Sequence, residues 1–553
     1  MPACAQKELA VPEVAPQSAW APLRITVFRW LWIAGMVSNI GTFMQNVGAA
    51  WLMTDLTRSP TLISLLQTAY AVPGFLLALV AGALADVVDR RRLLLVTQTF
   101  MFTVAAVLGL LSITDQVTTT SLLFLTFLLS VGGTLNMPAW VSLTPELVPR
   151  EQLTQAVALN SISMNIAQSI GPAIAGVLIA VAGTGAVFMA NAVSFLAVVG
   201  VVAVWKREPQ QTTMPAEHIT AAIRTGIRYV AHAPALITLL ARLALFILFS
   251  SSLAALLPVV ARNRLGLSAG GFGLLSASLG VGAIAMASQL PRARARLSAD
   301  QMVLAGSALF GVALMIVAQS TTLAVACIGL ALGGAGSIVA MTTVFATFQA
   351  VLPSWVRGRG LAVAMLTVWL VTAPASYGWG SLASDRGVST ALTIAAIGVL
   401  ATALLAAPFL RIGGLADVDL TPVPTALPVM VLEPAGSDGP VLVTVEWRID
   451  PADTDRFAEA MAPIRRQRRR DGAMTWGLFH DVTDPGRMIE SFSVASWAEH
   501  ERQHERTVAG DGEGQAAARA LLVGSDAPLV THLIGTHRPR PPRRSLRASA
   551  TRS

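Results

Sequence analysis

The chain has 553 residues, is 54% hydrophobic and only 13% charged, carries a formal net charge of +8, and has a mean hydropathy of +0.63. A soluble globular protein holds about 25% charged residues, so this composition excludes one and marks an integral membrane protein. Its two lysines, Lys7 and Lys206, follow ACAQ and AVW rather than a glycine-rich turn. That excludes ATP hydrolysis by a P-loop and leaves an ion gradient or a partner to drive any transport.

Residues 1–22 are Pro- and Ala-rich with no apolar run, which predicts a disordered cytoplasmic arm rather than a signal peptide. Twelve stretches then have the roughly 20 apolar residues that a membrane span needs: 29–54, 61–85, 93–113, 119–142, 155–181, 184–205, 236–260, 270–290, 300–318, 321–348, 359–383 and 388–410. About seventeen Lys and Arg residues fall on one side of these spans. Four fall on the other: Arg58, Arg262, Arg264 and Arg386. The asymmetry places both termini in the cytoplasm. The longest internal loop, 206–235, contains the amphipathic IRTGIRYV, which predicts a surface helix. It divides a six-helix half at 23–205 from a second at 236–412. Arg90, Arg92 and Pro149 reappear as Arg294, Arg296 and Pro353, each about 204 residues later. Paired halves of this kind are built from internal repeats.

From 413 to 439 the chain is Pro-, Val- and Gly-rich and reads as a linker. Residues 440–537 then follow the order β-α-β-β-α-β, a ferredoxin-like unit: VLVTVEWRI, PADTDRFAEAMAPIRRQRRR, AMTWGLFHDV and RMIESFSV around a TDPG turn, two helical stretches, and APLVTHLIGT. Residues 538–553 form a basic tail expected to be disordered. The predicted fold class is thus an all-α membrane protein of twelve transmembrane helices in two six-helix halves, plus a C-terminal α+β domain.

The charged stretch GALADVVDRRRLL, Gly82 to Leu94, stands between the second and third spans. It resembles the signature loop of the major facilitator superfamily, matching at Gly82, Leu84, Ala85, Asp86, Arg90 and Arg91. It departs at Val87 and at Asp89, which stands where the family has Gly. The resemblance implies that Asp86 caps the start of the eleventh helix, near Arg359 and Gly360, where a helix dipole favours an anion. Gly82, Asp86, Arg90, Arg91 and Arg359 would then form a conformational latch made in the outward-open state. In the fifth span, GPAIAG resembles the Gly-Pro-x-x-Gly-Gly element of the superfamily's exporters, with Gly171, Pro172 and Gly176 in place and Ala175 departing. This implies efflux.

Polar residues within the spans are mostly neutral. Asn39, Gln45, Gln67, Asn136, Asn165 and the one intramembrane charge, Arg242, are the candidate cavity lining, because a polar group facing lipid is costly; interhelical hydrogen bonding, and for Arg242 snorkelling to the interface, compete with that reading. No Asp, Glu or His is placed at mid-membrane, so the proton coupling that the resemblance implies has no residue to carry it.

SNIGTFMQNVGAAWLM, VALNSISMN and the soluble extension narrow the resemblance to the enterobactin-exporter-like branch, the transmembrane secretion effectors. It covers about residues 24–535. It implies a secondary-active exporter in the bacterial inner membrane that works by alternating access on a small amphipathic metabolite or drug, such as a siderophore or antibiotic. A lysophospholipid flippase is one alternative. A transporter whose soluble domain is an enzyme or ligand sensor is another. The extension resembles the dimeric α/β-barrel domains of antibiotic-biosynthesis monooxygenases, which implies a homodimer through that domain. His500 and His504 are four apart on one helix with no third ligand evident, and a solvated helix face is expected instead of a metal. The run Arg465 to Arg470 is read as a helix end facing water or anionic lipid. The expected partners are a small-molecule substrate and the bilayer, with no cofactor, no catalytic residue and no nucleic acid.

Overall fold

The computed structural model describes residues 18–205, 226–353, 355–412, 419, 421, 423, 434–524 and 527–535. The expected basic tail lies outside the described residues, as do most of the N-terminal arm, the linker and the 206–225 part of the central loop. The chain divides into two compact units. One comprises 1–216, 242–344 and 365–411; the other comprises 217–241, 345–364 and 412–553.

The first unit is helical. Its rods are α1 (Thr26–Leu56), α2 (Pro60–Val87), α3 (Arg90–Ile113), α4 (Thr119–Leu147) and α5 (Leu153–Val204), then α6 (Pro234–Val259), α7 (Ala269–Arg294), α8 (Ala299–Gln319), α9 (Leu323–Ala350), α10 (Arg357–Arg386) and α11 (Val388–Phe409); α6, α9 and α10 each pass one end into the second unit. Side-chain oxygens start them where the sequence offers Ser or Thr. Ser59, Thr118, Ser268 and Ser298 each accept the N–H three residues on, satisfying a donor that the first helical turn leaves free.

Among the described residues ten helices are long and apolar enough to cross a membrane. Two features separate that number from the expected twelve. The fifth and sixth expected spans are joined in α5, where Gly183, at φ +78°, is the non-helical residue between two rods; only glycine takes that conformation without strain. The first expected span, α1, is not among the ten, and its middle carries Ser38, Asn39, Thr42, Gln45 and Asn46.

Small residues set the approach of the rods. A Cβ on Gly273 of α7 would lie 2.7 Å from the Gly176 Cα and 2.8 Å from the Pro172 carbonyl oxygen, so α5 and α7 meet backbone to backbone. Gly171 meets α1 at Phe43. Between α2 and α10, Thr61 and Ser384 share a hydrogen bond of 2.8 Å and the Thr68 hydroxyl donates to the Ala373 carbonyl at 2.9 Å. Arg262 pairs with Asp55 at 2.8 Å and lies over Trp51, whose indole stacks on Phe272.

In the second unit a four-stranded antiparallel sheet has the order β2-β3-β1-β4, from β1 (Val441–Arg448), β2 (Thr475–His480), β3 (Arg487–Val494) and β4 (Leu529–Ile534). Strands β1 and β3 alternate buried and less buried positions, as one covered sheet face demands. The cover is α12 (Thr454–Asp471), α13 (Trp497–Glu505) and α14 (Gly512–Arg519). Trp447 and Trp497 are buried in the two cores. Residues 226–231 are helical, and Tyr229 there meets Trp355 edge to face at 5.4 Å. Arg470 lies over Tyr229, whose hydroxyl burial pushes up to about 12. Arg506 lies over Trp355, and Arg228 pairs with Glu499 at 3.3 Å.

The arginine run is only in part the solvated end that the sequence predicts: Arg465 and Arg466 are exposed, but Arg468 and Arg470 turn inward. Arg468 donates to Glu490, which is fully buried, at 3.1 Å. Arg470 forks onto Asp471 and Asp511. Acidic residues from β3 and from the chain before α14 converge on this face of α12, which charge counting along one helix cannot reveal.

Candidate functional site

A cavity of about 380 Å³ opens among α1, α2, α3, α4, the second rod of α5 and α10. Its polar walls are amides and hydroxyls: Ser38, Asn39, Thr42, Gln45, Asn46, Tyr70, Gln98, Ser130, Thr134, Asn136 and Asn191. Met101, Leu129, Met137, Trp140, Phe195, Val198 and Trp369 supply the apolar surface. Two glycines shape it. A Cβ on Gly35 would strike Trp140 at 2.5 Å, and one on Gly74 would strike Trp369 at 2.6 Å, so both indoles lie against bare helix backbone.

Part of this polar set is consumed internally. The Asn191 amide donates to the Gln45 carbonyl oxygen, and Ser194 donates to Asn191. Asn136 accepts from Thr97 at 3.0 Å and from Gln98 at 3.3 Å. The Ser130 hydroxyl donates to the Tyr70 carbonyl at 2.6 Å. Two buried atoms are left over, the Tyr70 hydroxyl and the Gln98 carbonyl oxygen, neither with a protein partner. Both atoms are sealed from the cavity by their own burial, so the open polar atoms of its wall belong to part-exposed residues such as Asn39 and Asn46. No charged side chain lines this cavity among the described residues.

Of the residues singled out in the sequence, Asn39, Gln45 and Asn136 stand in this wall, while Gln67, Asn165 and Arg242 do not. Asn165 is exposed on α5. Arg242 is 6% exposed and pairs with Asp300 at 2.9 Å, beside a separate small pocket between α6, α8 and α11. Tyr70, Gln98, Thr134, Trp140 and Trp369 were not legible as lining; single tyrosines and tryptophans in apolar helices carry no periodic signal of which face they occupy. Gly171, Pro172 and Gly176 lie at the α1 and α7 contacts described above.

The Gly82–Leu94 loop is built from local pairs. Asp89, the departure from the family pattern, caps α3 by accepting the Arg92 N–H at 2.9 Å. Arg90 pairs with Glu146 of α4 and donates to the Ser142 carbonyl at 3.2 Å. Arg91 donates to the Val202 and Ala203 carbonyls at 3.0 and 2.6 Å, satisfying the free end of α5 with a cation where the dipole favours one. The Asp86 side chain lies outside the described residues, and Arg359, in the second unit, packs its Cβ where a Cβ on Gly226 would stand, 2.8 Å away. Glu146→Gln should cost about 1–2 kcal/mol, since Arg90 is 30% and Glu146 8% exposed. Thermal unfolding in detergent would read this, and the swap of Arg90→Glu with Glu146→Arg should recover part of the loss.

A profile of the transmembrane secretion effector family matches residues 17–540. The rods have the fold of a transporter: a bacterial homolog of the human lysosomal transporter Spinster superposes with a TM-score of 0.57 at 14% identity, over 70% of this chain and 96% of that one. The chain therefore belongs to the transmembrane secretion effector family of the major facilitator superfamily and is a multi-pass membrane protein. Among its relatives, the staphyloferrin A transporter of Staphylococcus aureus is 31% identical over 157 residues, which are 28% of this chain and 40% of that protein. The enterobactin exporter EntS of Shigella boydii is 25% identical over 257 residues, 46% of this chain and 61% of that protein. The matched part thus spans between two fifths and about three fifths of these relatives.

Proposed function

We propose that the protein is a secondary-active exporter of a small amphipathic metabolite, of the siderophore or antibiotic kind, and that the amide- and tryptophan-lined cavity is its substrate site. The observation that carries this is the cavity itself. It pairs aromatic faces with part-exposed amides, and among the described residues no charged side chain lines it, which suits a small, mostly neutral amphipathic ligand. The siderophore class follows from what the two named relatives carry. We read the rods as twelve spans in two six-helix halves, with α5 counted as two, and the C-terminal unit as ferredoxin-like, because its sheet order and antiparallel pairing suit that unit. Its outer strands β2 and β4 leave edges on which a second copy would pair.

On this reading the termini are cytoplasmic and the described conformation is inward-open. Contacts that join the halves, Asp55 with Arg262, Thr61 with Ser384, Thr68 with Ala373 and Gly176 with Gly273, occupy the helix portions away from the Gly82–Leu94 loop, and Gly74 with Trp369 and Ser169 with Gly280 lie in mid-helix. The cavity draws on the loop-side portions, such as Gln98 of α3 and Asn136 and Trp140 of α4. The cycle would close the loop side by bringing Asp86 to the start of α10 at Arg359. The driving ion is expected to be the proton, as in the resembling family.

Deleting the gene should raise the retained-to-secreted ratio of one iron-chelating or antibiotic metabolite, and the wild-type gene should restore it. Asp86→Asn should insert at normal levels and fail to restore. Export at the wild-type rate by Asp86→Asn would remove the latch. An unchanged metabolite profile and unchanged drug sensitivity on deletion would remove the exporter. A flippase would instead show as lysophospholipid movement in reconstituted vesicles.

A further inference from the structure

The C-terminal unit holds a second cavity, of about 390 Å³, between the sheet and its helices. The solvated face expected for α13 is not what forms there. His500 is 1% exposed, and α13 is turned so that His500 and His504 face the sheet. There β4 presents His532, a residue 28 positions beyond His504 that no sequence spacing connects with them. One ring nitrogen of each of the three lies within 4.8 Å of the others. The His500 and His504 Nε2 atoms are 3.2 Å apart. A tetrahedral ion with metal–nitrogen bonds of about 2.0–2.1 Å sets its ligand nitrogens about 3.3 Å apart, so this pair already has the separation and His532 must close in.

We propose that His500, His504 and His532 bind one late first-row divalent cation, Zn²⁺ foremost, on the wall of the C-terminal cavity. Three imidazoles without a carboxylate suit Zn²⁺, Cu²⁺, Ni²⁺ or Co²⁺ and not Mg²⁺ or Ca²⁺. The frame is preformed. His500 and His504 are one helical turn apart on α13, and His532 is held in the sheet opposite Val443 of β1. All three rings line the cavity wall, so an ion held by them would face open space rather than packed side chains. The nearby cations do not forbid a metal. Arg468, which lines the cavity, is neutralised by buried Glu490, and Arg519 is exposed to solvent, where its field is screened. Three protein ligands leave a fourth position, as in open zinc sites, and the cavity lies beside it.

The test uses the full-length chain in detergent, purified through a tag without histidine and stripped with a chelator. Titration with Zn²⁺ should saturate at one equivalent per chain, and Co²⁺ should give the visible bands of a tetrahedral ion. His532→Gln and His504→Gln should each weaken binding at least about tenfold, while His480→Gln, on β2 outside the cluster, should bind as wild type does. Near-ultraviolet circular dichroism identifies which variants are folded. If the wild-type chain takes up no stoichiometric metal, or if a folded variant of either ligand binds as tightly as wild type, the site does not exist and the three rings are a packed imidazole cluster.

Discussion

Gly273→Leu should give a protein that melts far below wild type and exports nothing. The reason is the lack of any yielding neighbour. The new Cβ would meet the Gly176 Cα at 2.7 Å and the Pro172 carbonyl oxygen at 2.8 Å, and both are backbone. Overpacking a flexible site costs typically 1–3 kcal/mol; here α5 and α7 must separate, so we expect about 3 kcal/mol or more. Gly176→Leu should behave alike, because the contact is reciprocal. Gly200→Leu is the control, since nothing stands within 4 Å of its Cβ position. Melting curves by fluorescence-detected size exclusion would rank the three. A Gly273→Leu protein as stable and active as the Gly200→Leu control would mean that the two rods do not meet as described.

Asn191→Leu should destabilise the helical unit by about 1–3 kcal/mol and impair export, because it strands the Gln45 amide away from water. Asn191 is 1% and Gln45 3% exposed, so neither has solvent to fall back on. The pair ties α1 to the second rod of α5, where Gly41 lets the helices close: a Cβ there would stand 2.5 Å from the Asn191 side-chain oxygen. The double variant, Gln45→Leu with Asn191→Leu, should be more stable than the sum of the two singles predicts. Removing both partners leaves no buried polar orphan, and the difference is the coupling energy of the pair. Strict additivity would show that the two amides act independently.

Much of the architecture was written in local pattern. The apolar runs and the arginines between them mark helices and turns because a bilayer penalises charge and open backbone alike. Asp89 and Arg91 show the limit of that pattern. Asp89 reads as a mismatch to a motif and is a helix cap; Arg91 stands in a loop motif, and the carbonyls it donates to, at the end of α5, are more than 100 positions away. The ion pair of Arg242 was equally hidden, because Asp300 belongs to another helix.

The amino-acid order alone settled that the chain crosses a membrane many times, that it lacks a P-loop, and that a sheet-forming unit follows the helices. Each of these rests on composition or on spacings of a few residues. Which amides share a wall, which glycines let two backbones touch, and which histidines meet depended on the tertiary structure. Such groups come from elements far apart in the chain, and a helix of mean composition gives no sign of which face its neighbour will cover. The C-terminal cluster is the plainest case: His500 and His504 announce themselves by spacing, but only the pairing of β4 with β1 brings His532 to them.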